Sequence, residues 1–116
     1  MSDVAVVRRL SVVVDGTGNT PVVRCSGRLV AGVNDRLYAE VSQLIPGSQR
    51  IVLDFTDLTH MDSMGLGTLV RLYVSAKSAG CVLDLMNVGK SVRQLLGITH
   101  MMSVFQTIGE NNIRMG

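Results

Sequence analysis

The segment Arg50-Ile51-Val52-Leu53-Asp54-Phe55 constrains this chain most. A nearly continuous apolar run of that length belongs to a strand covered on both faces, and helices on either side in the sequence make it the centre of a layered sheet. Leu37, Val41, Leu44 and Ile45 upstream stand at i, i+4, i+7 and i+8, the stripe of an amphipathic helix that starts near Val33 and stops at Pro46-Gly47. Downstream, Leu66, Leu69, Val70, Tyr73 and Val74 stand at i, i+3, i+4, i+7 and i+8, with Gly80 where a left-handed cap belongs. The opposite face of that second helix is expected to carry Met64, Thr68, Arg71 and Ser75.

The flanks complete the pattern. The β-branched residues from Val4 to Val14 predict a strand, Asp15 to Asn19 a turn, and Pro21 to Val30 a second strand, together a hairpin. Val82 to Leu85 predicts another strand; Val92, Leu95 and Leu96 mark a short helix ended by Gly97; Val104 to Ile108 predicts a last strand. The polar tail Gly109 to Gly116 is expected to fray. The order β-β-α-β-α-β-α-β implies an α/β fold: a mixed sheet with parallel crossovers, an antiparallel opening pair and helices packed on it. With 116 residues the chain makes one domain, able to bury a core without disulfides or metal.

Composition excludes several function classes. The net charge is only +2 and the aromatic residues are Tyr38, Phe55, Tyr73 and Phe105. Nucleic-acid binding is not expected, because the densest basic feature is the pair Arg8-Arg9 and stacking platforms are lacking. Cys25 and Cys81 stand alone inside apolar runs, which reads as buried reduced thiols rather than a metal or redox pair. No leader and no apolar stretch of about 18 residues is present, so a cytoplasmic protein without membrane insertion is expected.

The most informative stretch is Thr59-His60-Met61-Asp62-Ser63-Met64-Gly65-Leu66-Gly67. Asp62 and Ser63 suit a helix cap, worth about 1 kcal/mol. Gly65 and Gly67 in a first helical turn each cost roughly 0.8–1 kcal/mol against Ala, which suggests close approach by a partner's backbone. Met61 and Met64 are flexible apolar side chains of the kind found on adaptable contact surfaces, although a core role suits Met61 equally. Ser63 with His60 and Asp62 lacks the G-x-S-x-G elbow of a serine hydrolase. Val88-Gly89-Lys90-Ser91 ends like a phosphate-binding loop, but Asp84 occupies the position of its first glycine.

The run Ile51-Val-Leu-Asp-Phe-Thr-Asp-Leu-Thr-His-Met-Asp-Ser-Met-Gly-Leu-Gly67 resembles the strand, loop and helix start of STAS domains, and more closely those of bacterial anti-sigma factor antagonists, whose hallmark is Asp-Ser-x-Gly before an apolar helix. The resemblance extends over about residues 4 to 108. It implies a STAS-like fold and a non-enzymatic regulator of transcription with no cofactor and no metal. In that family the serine of the motif, here Ser63, is the phosphorylated one. The partner implied is an anti-sigma factor with serine kinase activity, bound by the unmodified antagonist and released on phosphorylation, with a phosphatase to reverse it. The implied contact residues are Asp62, Ser63, Met64, Gly65, Gly67, Thr68 and Arg71.

Two departures from that family pattern stand out. Gly27-Arg28-Leu29-Val30 matches a Gly-x-Leu-Asp stretch whose carboxylate is associated with phosphorylation, so Val30 replaces that Asp, and Asp35 lies five residues on. The chain is also short for the family's last helix, which leads to the expectation of a homodimer covering the apolar surface left open. The alternative implied by the same fold is a STAS scaffold or transporter-associated subunit, in a stressosome-like or lipid-transport complex, without a phosphorylation cycle.

Overall fold

The computed structural model describes residues 10–16, 18–98, 105–108 and 112–115. The expected strand start at Val4 to Arg9, Thr17, His100 and Val104 lie outside the described residues. Strand β1 (Ser11–Asp15) pairs antiparallel with β2 (Val22–Leu29), with Val13 opposite Arg24. Gly16 and Gly18 take φ of +85° and +77° in the connection, which glycine adopts without steric penalty. Helix α1 (Asn34–Ser42) leads through a 3₁₀ turn (Ile45–Gly47) into β3 (Arg50–Met61). Helix α2 (Ser63–Ser78), β4 (Val82–Met86) and α3 (Lys90–Ile98) follow.

β2, β3 and β4 run parallel, in register Arg24 with Asp54 and Asp54 with Met86. The chain ends in β5 (Phe105–Ile108) and β6 (Asn112–Met115), and the sheet order is β1-β2-β3-β4-β6-β5. Ile51, Leu53 and Phe55 of β3 are fully buried together with Leu69 and Leu72 of α2 and Leu37 of α1, so the core lies between the sheet and the helices. No helix among the described residues is long and apolar enough to cross a membrane.

Four local features differ from the sequence expectation. The stripe expected to carry the first helix on to Leu44 and Ile45 breaks at Ser42, because Pro46 has no N–H to donate into an α-helical ladder and a 3₁₀ turn takes over. β3 does not stop at Phe55. It continues to Met61 along β2 and absorbs two irregularities of register, between Arg24 and Ser26 and between Gly27 and Arg28 of its partner strand. At the first of these the N–H of Thr56 donates to Asp54 Oδ1 at 2.9 Å, a side-chain substitute for a ladder bond.

The tail expected to fray contributes β6, which pairs antiparallel with β4, Leu83 opposite Met115 and Leu85 opposite Ile113. Its four residues are too few for alternation to be distinctive in sequence; the free edge of β4 is what recruits them. β5 therefore lies beyond β6 instead of next to β4.

Helix α2 is rotated by roughly a quarter turn from its expected orientation. Gly65, Leu66, Thr68, Leu69, Leu72 and Ala76 are buried, whereas Val74 is 55% exposed and Val70 and Tyr73 are half-buried. Hydrophobic spacing alone reads the stripe through Val70 and Val74; the close packing of Gly65 against Leu29 of β2 decides otherwise.

Candidate partner-docking site

The strand-to-helix junction takes a single residue. Asp62 is extended at φ −110° and ψ −173°, its N–H donates to the Leu29 carbonyl at 3.3 Å, and Ser63 is already helical. The carboxylate of Asp62 then organises the turn. Oδ1 accepts the N–H groups of Met64 and Gly65, each at 3.0 Å, and Oδ2 accepts the N–H of Ala31 at 3.1 Å. The first two bonds cap α2; the third ties its start to the connection between β2 and α1. Burial alone would raise the Asp62 carboxyl, but the N–H donors of Ala31, Gly65 and Met64 outweigh it and hold the group below its ordinary value.

Gly65 belongs to the interior. A Cβ there would collide with the Leu29 carbonyl oxygen and lie 2.9 Å from Leu29 Cγ and 3.0 Å from Met61 Cγ. The close approach expected of a partner is made by the protein's own β2. Thr68 is also internal, at 1% exposure; its hydroxyl donates to the Met64 carbonyl at 3.3 Å and accepts from Asn34 Nδ2 of α1 at 3.1 Å. These two expected contact residues are therefore removed from the accessible surface by packing between α2, β2 and α1.

Ser63, Met64, Gly67 and Arg71 are exposed. Met64 is 54% exposed, and a Cβ on Gly67 would meet nothing within 4 Å. The Arg71 guanidinium stacks over the Tyr38 ring at 4.0 Å from its centroid, a cation–π contact that fixes the cation on the surface. The sequence reading missed Ala31, Asn34 and Tyr38, none of which carries a local signal: each gains its role from a residue about thirty positions away.

The two chemistries that the sequence argues against are not assembled among the described residues. His60 Nδ1 lies 3.3 Å from Thr59 Oγ1, and both oxygens of Asp62 are occupied by backbone donors, so neither is poised on Ser63 as a hydrolase would need. A groove of about 570 Å³ lies at the start of α3, lined by Thr56, Asn87, Gly89, Lys90 and Arg93 among others. The Asp84 carboxylate, where a phosphate loop has its first glycine, is only 6% exposed and pairs with Arg50 at 3.3 Å. Among the described residues no group of three or more His, Cys, Asp or Glu is placed to hold a metal.

The family model of the STAS domain matches residues 11–112. The chain belongs to the STAS domain family. Several solved structures share its fold. The anti-sigma factor antagonist SpoIIAA in its unphosphorylated form is 22% identical with a TM-score of 0.69, covering 78% of this chain and 82% of its own. The phosphorylated form of the Bacillus protein matches with a TM-score of 0.65. An anti-sigma factor antagonist from Mycobacterium paratuberculosis is 16% identical with a TM-score of 0.76, covering 89% of this chain and 88% of its own. A sulfate transporter family protein from Wolinella succinogenes is 19% identical with a TM-score of 0.65, covering 73% of this chain and 70% of its own.

Proposed function

We propose that this STAS domain is a bacterial, cytoplasmic anti-sigma factor antagonist. Unmodified, it docks through the start of α2 on an anti-sigma factor with serine kinase activity, which lets go of its sigma factor; phosphorylation of Ser63 by that kinase ends the complex, and a phosphatase resets it. The observation that carries this reading is the position of Ser63, an exposed hydroxyl at the first residue of a sixteen-residue helix whose start is locked from below by Asp62. Structural likeness to an antagonist solved in both phosphorylation states supports it.

The physics of a switch fits this position. Phosphate adds about −1.5 to −2 charges beside a helix N-terminus, where the dipole favours an anion, so the fold persists. For a docked partner the effect reverses. An interface formed around a small neutral hydroxyl, Met64 and Gly67 has to desolvate a dianion next to the Asp62 carboxylate, and about 1.4 kcal/mol is already tenfold in affinity. Ser63, Met64, Gly67 and Arg71 form the contact in this reading; Asp62 positions them, and Gly65 and Thr68 support them from inside. The chain itself performs no catalysis.

The test is incubation with a serine-kinase anti-sigma factor from the same genome and ATP. Phosphate is expected on Ser63 and absent from Ser63→Ala, and Ser63→Glu is expected to bind the anti-sigma factor at least tenfold more weakly while unfolding at the same denaturant concentration. Unchanged affinity of Ser63→Glu in calorimetry would sink the switch. A second reading, a scaffold or transporter-associated subunit without phosphorylation, is favoured by Val30 at the position of the family carboxylate and by the shared fold of the sulfate transporter family protein. Neighbouring genes separate the two: a serine-kinase anti-sigma factor favours switching, permease or transport ATPase genes the alternative.

A further inference from the structure

The quarter-turn rotation of α2 leaves a particular set of residues facing outward. Met64, Gly67, Arg71, Val74 and Ser78 are all exposed, and their spacing of three, four, three and four residues places them in one straight seam opposite the buried face, about 21 Å long at 1.5 Å per residue. Met64 and Val74 are two of the four large hydrophobic residues exposed on the described surface, at 54% and 55%. Between them Gly67 opens a hole with nothing within 4 Å of where a Cβ would stand. Unlike Gly65, Gly67 has no internal packing reason to be glycine, and it carries the full helix penalty.

Charge limits what fits there. The sequence of α2 contains Arg71 and Lys77 and no carboxylate, and Arg71 at the middle of the seam is held over the Tyr38 ring. A second copy of this chain docked antiparallel along the seam would centre on residue 71 and set two guanidinium groups against each other, which argues against the homodimer on this face. The spacing is that of a helix-on-helix contact, in which an apolar side chain fills the hole at Gly67 between Met64 and Val74.

We propose that the seam Met64-Gly67-Arg71-Val74-Ser78 receives a helix of the anti-sigma factor, which seats an apolar side chain over Gly67 and a carboxylate against Arg71. This rests on the antagonist reading and specifies its partner surface: an acidic amphipathic helix lying along α2 and ending beside Ser63. It also explains why a phosphate at Ser63 is decisive, since the incoming helix is itself negative.

The experiment measures binding of each purified serine-kinase anti-sigma factor of the same genome to wild type, Gly67→Leu, Arg71→Glu and Lys77→Glu, with thermal melts to verify folding. Lys77 lies off the seam, so Lys77→Glu controls for the same change of charge. The expected result is a loss of at least tenfold for Gly67→Leu and Arg71→Glu, wild-type affinity for Lys77→Glu, and hydrogen-exchange protection in the partner confined to a helix bearing the carboxylate. Wild-type affinity of a folded Gly67→Leu overturns the seam, as do equal losses at Arg71 and Lys77 or protection confined to a partner loop. A dimer in sedimentation velocity that Gly67→Leu dissociates assigns the seam to a second copy and overturns the partner helix. If no anti-sigma factor binds wild type, both this inference and the antagonist reading fall; if Ser63→Glu binds normally while Gly67→Leu does not, only the switch falls.

Discussion

Gly65 in the first turn of α2 lies so close to the carbonyl oxygen of Leu29 at the end of β2 that no Cβ fits between them. The obstructing atom is backbone and cannot rotate away. Gly65→Ala is therefore expected to destabilise the domain by about 3 kcal/mol, at the upper end for overpacking, through displacement of α2 from β2. Gly67→Ala, two residues on and facing open space, is expected to stabilise it by about 0.8–1 kcal/mol through helix propensity. Urea denaturation of the two variants gives opposite signs if the two glycines are as different as the structure makes them.

Asp62 supplies the second prediction. Removing the cap with Asp62→Ala costs about 1 kcal/mol, and its bond to Ala31 adds to that because it joins two segments. The pH dependence follows from the lowered carboxyl. The unfolded chain binds the proton more readily than the folded one, so the contribution is complete above the unfolded value of about 4 and is lost as pH falls through the lower folded value. Asp62→Asn, which can still cap, is expected to show a flatter fall in stability below pH 4 than wild type, read by denaturation at a series of pH values.

Asp54 adds to that acid limb independently. Burial would raise it, but the hydroxyl and N–H of Thr56, Asn87 Nδ2 and the Arg24 guanidinium together hold it low. Asp54→Asn in the Asp62→Asn background should flatten the acid limb further, because the two sites share no partner.

The buried pair of Asn34 and Thr68 joins α1 to α2. Thr68→Val keeps the shape and leaves the Asn34 amide without that acceptor, which is expected to cost about 1–3 kcal/mol. If Thr68 were a surface contact instead, the same substitution would leave the urea midpoint unchanged.

Cys25 is fully buried, and burial, helped by the nearby Asp54 carboxylate, pushes its thiol up to about 12. Since the thiolate is the reactive species, native protein at pH 8 should leave Cys25 unlabelled by a thiol reagent, with labelling appearing only as the chain unfolds. Mass spectrometry of labelled peptides reads this directly.

The order of strands and helices, the central strand at Ile51 to Phe55 and the helix start at Asp62-Ser63 are all local properties. Alternation, the 3.6-residue period and cap chemistry act within a few residues, so the sequence by itself determined them, and with them the exposed serine. Tertiary structure alone decided the orientation of α2. A stripe through Leu66, Leu69, Val70, Tyr73 and Val74 is a valid amphipathic reading, but contact between Gly65 and Leu29, thirty-six positions apart in the chain, turns the helix so that Thr68 goes in and Val74 comes out. The same holds for Asp62, whose cap is legible in sequence and whose bond to Ala31 is not, and for β6, which becomes a strand only where β4 offers an edge. In each case the deciding energy belongs to a pair of residues distant in sequence, and no window on one of them contains the other.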